Sequence, residues 1–506
     1  MTEDNTDPYR KPTRNLATNV SIGAAWLLAM NWGRRLLSIV STMVLARLLT
    51  PDDFGVVALA TAFSAILSGF TSMPMGQALI FRQKIARNYY DTAWTLSCAR
   101  GFLVSILMLV LADPVASFLE EPKLRSIIVV LALQPLLIGL NNPRFIDYQK
   151  DLMFSKIALV HMGTAVVYGA VSIGMAIVFR NYWAFIVGTL SSAFVQCIWT
   201  YVLKPYRPVP TFSKWRELLG FSAWLSASNA VWSMNLNFDK FVIGGLIGTT
   251  SVGYYRLGQE LSRLPSRELL PALTQALFPG LAKLGRDLPR MRAKALEANA
   301  VLAAIILPFG FGFGLVAEET VRIILGEKWL ELVPMLSLMA PILALPGMLA
   351  TLDPLYLARG RTHVNFIIGT VHFFVRTTLV GVGAYFYGFE GAIYGYAGTA
   401  AVDFLVRLWS LGKELAVPVY IPLLRSIRSI IAVLIMSGVV LAVDTAFPPC
   451  LDPYACGALL AAKVLAGVVT YTVSHMLLWR LAGAPKDSAE RKIIEIVRPF
   501  IAKFSI

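Results

Sequence analysis

The sequence predicts an all-α polytopic membrane protein of about fourteen transmembrane helices, and three observations carry the prediction. Hydrophobic residues fill 57% of the 506 positions and charged residues only 15%, with a mean hydropathy of +0.64. Apolar runs of roughly 20 residues or more, enough to cross a bilayer as a helix, follow one another along the chain. The runs are continuous, whereas a transmembrane barrel needs alternating segments of about ten residues, so the spans are helices. Third, the basic residues favour alternate loops.

Taken in order, the spans fall at 19–46, 54–81, 89–112, 124–141, 157–179, 182–203, 217–247, 251–280, 296–325, 330–357, 363–387, 390–412, 427–447 and 456–479. Residues 1–16 form a polar tail, and the first span is too long for a signal-peptide core, so it is expected to stay as a membrane helix. Alternate loops, counted from this tail, hold 29 of the 45 Lys and Arg residues; the opposite loops hold 6, and the other 10 lie inside spans. The positive-inside bias then puts both termini in the cytoplasm. It also accounts for the net charge of +15 without nucleic acid, for which no basic block with interleaved aromatics is present. Residues 486–504 read as a basic amphipathic helix on the anionic cytoplasmic leaflet. Cys98 and Cys197 lie within spans as packing residues, whereas Cys450 and Cys456 flank a short loop and could pair in an oxidising compartment. No metal-ligand spacing occurs.

An internal repeat divides the chain. The hairpin Val44-Leu45-Ala46-Arg47-Leu48-Leu49-Thr50-Pro51-Asp52-Asp53-Phe54-Gly55 aligns with the stretch from Val242 to Gly253 at an offset of 198. Leu119-Glu120-Glu121-Pro122-Lys123-Leu124 aligns with Leu325-Gly326-Glu327-Lys328-Trp329-Leu330 at an offset of 206. Residues 17–208 are thus a first lobe of six helices and 209–420 a second. Residues 421–482 add two further helices, and 483–506 form the tail. An even number of spans per copy gives parallel repeats, with the substrate site expected between them.

The region 238–280 concentrates the polar chemistry. After the break at Gly248-Thr249-Thr250-Ser251, one span carries Arg256, Glu260, Arg263 and Arg267, at helical spacings that share one stripe. Asp239 and Lys240 precede the break by a comparable depth. Charges inside a membrane span are costly unless they face protein or water. The stripe therefore marks a polar interior, either a cationic cavity or an ion-paired seam. Shifted by 198, it becomes Ala58, Ala62, Ala65 and Gly69, small residues that suit close helix packing or an open cavity. The first lobe offers Arg34 and Arg35 near the middle of span 1, and span 3 carries Arg100. His372 and Arg376 are four apart on span 11. Asp403 and Arg407 are four apart on span 12 and read as a structural pair. Asp353 and Lys463 are expected to have buried structural partners.

These residues carry a resemblance. The hairpin from Leu45 to Gly55, Asp239, Gly253-Tyr254-Tyr255, Leu277-Phe278-Pro279-Gly280 and Gly326-Glu327-Lys328-Trp329 resemble motifs of polysaccharide flippases. These belong to the multidrug/oligosaccharidyl-lipid/polysaccharide exporter superfamily, and the similarity is to its Wzx-like group, including the colanic acid exporter type. It runs from about residue 17 to 420. Ser72-Met73-Pro74-Met75 departs from it, where relatives often have an acidic residue and glycines.

The resemblance implies two six-helix lobes in a V around a central cationic cavity. It also implies a flippase, not an enzyme, in a bacterial inner membrane. The substrate would be a polyprenyl-diphosphate-linked oligosaccharide bound for exopolysaccharide or O-antigen synthesis, with membrane lipids around it and a polysaccharide polymerase and chain-length regulator as partners. No cofactor is implied; coupling to H+, Na+ or the membrane potential stays open. On this reading Arg34, Arg35, Arg256, Arg263, Arg267 and Arg376 are head-group ligands, since guanidinium grips phosphate oxygens bidentately. Pro265 is a flexing point of span 8. Asp239, Lys240 and Glu260 either orient those charges or include a group that binds a coupling ion. A lipid II flippase and an ion-coupled multidrug antiporter of the same superfamily are the alternatives, the second disfavoured because an arginine-rich cavity repels cations.

Overall fold

In the computed structural model the described residues are 13–491, apart from 74, 77–78, 80–85, 152, 265, 267–269, 271–273, 275–276, 278–279, 282, 285–286, 360, 448–452, 486–487 and 489. Arg267 and Pro265, the 486–504 tail helix and Cys450 of the expected cysteine pair therefore lie outside the described residues, wholly or in large part. Cys98 and Cys197 are free thiols. Helices dominate, and among the described residues ten are long and apolar enough to cross a membrane. Large apolar side chains such as Phe102, Ile106 and Val110 of the third span face outward, as lipid-facing surfaces require. The chain divides into two compact units, Met1–Asn237 and Phe238–Ile506.

The first unit contains α1 (Thr13–Leu48), α2 (Pro51–Phe70), α3 (Arg87–Phe118), α4 (Pro122–Leu131), α5 (Leu133–Gly139), α6 (Asp147–Lys150), α7 (Phe154–Phe179) and α8 (Trp183–Leu203). It also takes in the first part of α9 (Trp215–Ile247). The repeat motif works as a helix start. Thr50 caps α2 through the Asp53 amide, Asp53 answers the Thr50 amide, and Pro51 supplies the first helical position. Asp53 also accepts from the Tyr182 amide at 3.1 Å, and Lys123 pairs with Asp52 at 2.9 Å, which ties α2 to the starts of α8 and α4.

At its other end α2 breaks at residues 71–73. A broken membrane helix must have its freed carbonyls satisfied by protein. Here Arg100 of α3 donates to the Ser68 carbonyl at 2.9 Å and to the Thr71 hydroxyl at 3.4 Å, so it caps the helix C-terminus. From α9, Ser226 donates to the Ser72 carbonyl, Asn229 to the Ser72 hydroxyl at 2.9 Å, and Ser233 to the Ala65 carbonyl at 2.7 Å. The small-residue stripe is thus a packing surface: Ala58 and Ala62 are buried, and a Cβ on Gly69 would run into Ser233.

The linker 204–213 is laid along α3 instead of hanging free. Asp91 accepts from the Tyr206 hydroxyl at 2.6 Å and the Val209 amide at 2.9 Å, and Thr95 accepts from the Thr211 amide at 2.9 Å. These bonds and the α9 serines are why the first unit runs on to Asn237. Beside the linker, Asp147 accepts from the Tyr90 hydroxyl at 2.5 Å and pairs with Lys204 at 2.7 Å and Arg144 at 3.4 Å. Burial pushes its carboxyl up, but the Lys204 and Tyr90 hydrogen bonds and the charges of Lys204 and Arg144 together hold it below the usual carboxylate range.

The second unit takes the rest of α9 and then α10 (Thr249–Ser262), α11 (Leu288–Leu315), α12 (Ala317–Ile324), α13 (Val333–Met348), α14 (Leu352–Ala358) and α15 (Thr362–Leu415). It ends with α16 (Ile421–Arg425), α17 (Ile427–Ala446) and α18 (Pro453–Leu481). Its core, including Leu307, Met348, Leu355 and Leu411, lies where α11, α13, α14, α15 and α17 meet. Gly326, with φ +97, turns the chain so that Trp329 is buried edge-on against Tyr254 of α10. The spans expected at 363–387 and 390–412 are two arms of α15, which leaves helical geometry at Tyr387 and Gly388, φ +60 at the latter. The arms touch backbone to backbone: a Cβ on Gly383 would strike Gly391, and one on Gly395 would strike Leu379.

The α17–α18 hairpin is fastened to α12 and α11. Lys463 pairs with Glu319 at 2.5 Å and Asp444 at 2.7 Å, and the Tyr471 hydroxyl donates to the Ala304 carbonyl at 2.7 Å. Lys463 and Asp353 thus have the partners expected of them, the latter in Arg407 at 3.2 Å.

Two outcomes are expected. Lys463→Met strands the buried Glu319 carboxylate and should cost about 3–5 kcal/mol in thermal unfolding, with Glu319→Gln recovering most of the loss in that background. A carboxyl held low stabilises the fold above its unfolded-state pKa, and the contribution is lost as pH falls through the folded-state value. Asp147→Asn should therefore melt below native protein at pH 7, and the gap should close below about pH 4. A gap independent of pH would refute that role for the carboxylate.

Candidate functional site

The second unit gathers its charged span residues around one carboxylate. Asp239 lies on α9, a few residues before the Gly248 break (φ +88) where the chain reverses into α10. That reversal brings Tyr255 and Gln259, one turn apart on α10, against Asp239. The Tyr255 hydroxyl donates to Oδ2 at 2.6 Å and Gln259 Nε2 to the same oxygen at 3.3 Å, while the Lys240 amide donates to Oδ1 at 3.1 Å. The first arm of α15 supplies the counter-charge, an ion pair from Arg376 to Oδ2. Both partners are buried, with side chains 2% and 3% exposed. A charge so enclosed is tolerable only when paired and hydrogen-bonded, and Asp239 has both.

Tyr396, on the second arm of α15, joins this pair to the arginine stripe. Its hydroxyl oxygen accepts from Arg263 Nε at 3.0 Å and Nη2 at 2.7 Å. Its ring lies 4.6 Å below the Arg376 guanidinium and 5.9 Å from the Tyr255 ring, positions that favour cation–π and edge-to-face attraction. The charges of Arg256, Arg376 and Arg263 all act on Lys240. One neighbourhood thus holds Lys240, Arg256, Arg263 and Arg376, with Asp239 and Glu260 as its carboxylates, and Glu260 makes no ion pair among the described residues.

Two of the arginines are not used up by the protein. Arg256 Nη1 is buried with no hydrogen-bond partner among the described residues. Arg263 is held on one edge by a neutral phenol, and its Nη1 has no protein partner there. A second cluster lies further along α15. Arg407 Nε donates to both Asp403 oxygens at 3.2 and 3.1 Å, and Nη1 donates to Asp353; the charges of Asp403, Arg376 and Arg407 reach His372.

The expected site residues are therefore distributed as follows. Asp239, Lys240, Arg256, Arg263 and Arg376 come together in the second unit. Arg376, expected among the head-group ligands, pairs with Asp239, because the fold buries it beside that enclosed carboxylate. Glu260 lies on the same helix as Arg256 and makes no ion pair with an arginine among the described residues. Arg34 and Arg35 belong to α1 of the first unit, the former exposed and the latter half-buried. The sequence reading named Tyr255 only as part of the Gly253-Tyr254-Tyr255 motif and passed over Tyr396 and Gln259 as parts of the site; for Gln259 the available signal was an amide three residues after Arg256 and four before Arg263 in an otherwise apolar span.

A family model described as "Polysaccharide biosynthesis protein" matches residues 44–334. The chain is 25% identical over 368 residues to the lipopolysaccharide biosynthesis protein WzxC of Escherichia coli (strain K12), covering 71% of this chain and 74% of that protein. It is 24% identical over 432 residues to the succinoglycan biosynthesis transport protein ExoT of Rhizobium meliloti (strain 1021), covering 85% and 87%. Among solved structures, an inward closed conformation of the lipid II flippase MurJ superposes with a TM-score of 0.72 at 14% identity, covering 90% of this chain and 99% of that one. That likeness is one of fold.

The buried pair sets a stability test. Asp239→Asn leaves Arg376 enclosed without its counter-charge and should destabilise the protein by about 3–5 kcal/mol in thermal melts. Arg376→Leu in the same background should recover part of that loss. A double variant as unstable as the sum of the singles would show that the two groups do not act as a pair.

Proposed function

This chain belongs to the polysaccharide biosynthesis protein family, and we propose that it is a flippase for a polyprenyl-diphosphate-linked oligosaccharide. On this reading it is a multi-pass protein of the bacterial inner membrane with both termini cytoplasmic. It moves its substrate outward by alternating access for exopolysaccharide or O-antigen synthesis and performs no covalent chemistry. The named relatives act in polysaccharide biosynthesis and transport, which supports this substrate class over lipid II.

The observation that carries the reading is the surplus of cationic hydrogen-bond donors within a buried polar cluster. Among the described residues, Arg256 has a donor with no partner, and one edge of Arg263 has none. A diphosphate supplies the missing acceptors: it is anionic at neutral pH, and guanidinium matches its oxygens in a bidentate way. Four cations facing two carboxylates would repel an organic cation, which counts against a drug antiporter. Arg34, Arg35 and Arg267 remain proposed head-group contacts, and Arg267 a capture point nearer the cytoplasm.

Asp239 fits the orienting role better than the coupling one. Its carboxylate already has an internal cation in Arg376 and further donors in Tyr255 and Gln259. A coupling ion at that oxygen would have to displace a guanidinium. Lys240 adds to the positive field, and Glu260 remains the carboxylate open to a coupling proton or cation. Transport also requires that the head group lose its preference for the inward state after the switch. The modest, partly phenol-held arginine pair suits that better than a fully committed clamp.

The test is flipping of a fluorescent polyprenyl-diphosphate oligosaccharide in proteoliposomes. Arg256→Ala and Arg263→Ala should each slow flipping at least about tenfold, the loss of one charge-assisted hydrogen bond, with melting temperatures near native. Normal flipping by both variants would make the stripe structural and sink the assignment. Flipping that starts only under an imposed ion gradient would direct attention to Glu260.

A further inference from the structure

We propose that Tyr396 is a positioning residue that presents Arg263 to the anionic head group, an inference that rests on the anion-binding reading above. A guanidinium has two edges that can each make a pair of parallel hydrogen bonds. The Tyr396 oxygen takes the Nε and Nη2 edge of Arg263, at 3.0 and 2.7 Å. What remains is Nη1 with the outer hydrogen of Nη2, the edge suited to a phosphate. The phenol thus fixes the plane of the arginine while leaving its charge uncompensated. A carboxylate in the same place would fix it equally well but neutralise it.

Tyr396 is itself held rigidly. It is 2% exposed, its ring lies under Arg376 and meets Tyr255 edge-on, and both of those groups bond to Asp239. The enclosed ion pair therefore sets the phenol, and the phenol sets the arginine. Arg263 is also only 5.8 Å from the Tyr396 ring centroid, so one aromatic residue serves two cations, one through its face and one chiefly through its oxygen. Tyr396→Phe separates the two roles: the ring under Arg376 stays, and the acceptor for Arg263 goes.

The experiment measures binding of inorganic pyrophosphate to the full chain in nanodiscs by calorimetry. It compares native protein with Arg256→Ala, Arg263→Ala, Tyr396→Phe and the double variant Tyr396→Phe with Arg263→Ala, melting temperatures being recorded in parallel. Tyr396→Phe should weaken binding about tenfold, and the double variant should bind no more weakly than Arg263→Ala alone, because a hydroxyl that acts through Arg263 has nothing left to orient. Native affinity in Tyr396→Phe, or losses that multiply in the double variant, would overturn the proposal while leaving the anion site standing. Native affinity in both arginine variants would overturn the anion-binding reading and this proposal with it. Arg263→Lys tests the same geometry without altering the phenol. It keeps the charge but lacks the planar fork, so affinity should fall about tenfold; unchanged affinity would show that charge alone suffices and would refute the oriented edge.

Discussion

The second unit depends on one enclosed ion pair. Asp239 and Arg376 lie on elements far apart in sequence, and neither is tolerable in an apolar interior without the other. Their pairing fixes the distance from α9 to the first arm of α15. Through Tyr255 it also fixes the angle at which α10 leaves the Gly248 break. Arg256 on α10 and Arg263 at its C-cap are placed by that angle. The polar cluster is thus organised from its most buried charge outward: a neutralised pair at the centre, two tyrosines around it, and arginines with unused donors beyond.

The first unit meets the same requirement chiefly with uncharged groups and a single arginine. At the break of α2, Ser226 and Ser233 of α9 donate to carbonyls, Asn229 donates to the Ser72 hydroxyl, and Arg100 of α3 donates to the Ser68 carbonyl. Where the second unit has an arginine stripe, the first has alanines and a glycine in close packing. The two halves of the sequence repeat thereby diverge in chemistry, one packed through small residues and the other carrying arginines.

The spans, the basic loops and the charged stripe were legible in the sequence because each is a local pattern of hydropathy or charge. The Asp403–Arg407 pair was legible for the same reason, since its members are four residues apart on one helix. The Asp239 partner of Arg376 was not legible, because nothing local shows that it lies 137 residues earlier. Lys463 called for a carboxylate, but which one depended on packing that brings α18 to α12. Tyr396 carried no signal at all: a tyrosine in an apolar span usually anchors at the membrane interface, and only the turn at Gly388 brings this one back beside Arg376. The clamp of residues 204–213 on α3 was hidden similarly, because its acceptors, Asp91 and Thr95, read as ordinary polar residues at the start of a span.

The separation of Asp239 from Arg376 has a consequence for biosynthesis. A ribosome adding about 5–20 residues per second reaches Arg376 roughly 7–27 s after Asp239. During that interval the carboxylate exists without the cation that pairs with it in the finished fold. Tyr255 and Gln259, only 16 and 20 residues behind it, are made within about 1–4 s at the same rates, after the Lys240 amide and well before Arg376. The hydroxyl and amide that bond Asp239 in the finished fold are thus made long before its cation, and the order of synthesis puts the neutral donors ahead of the charge.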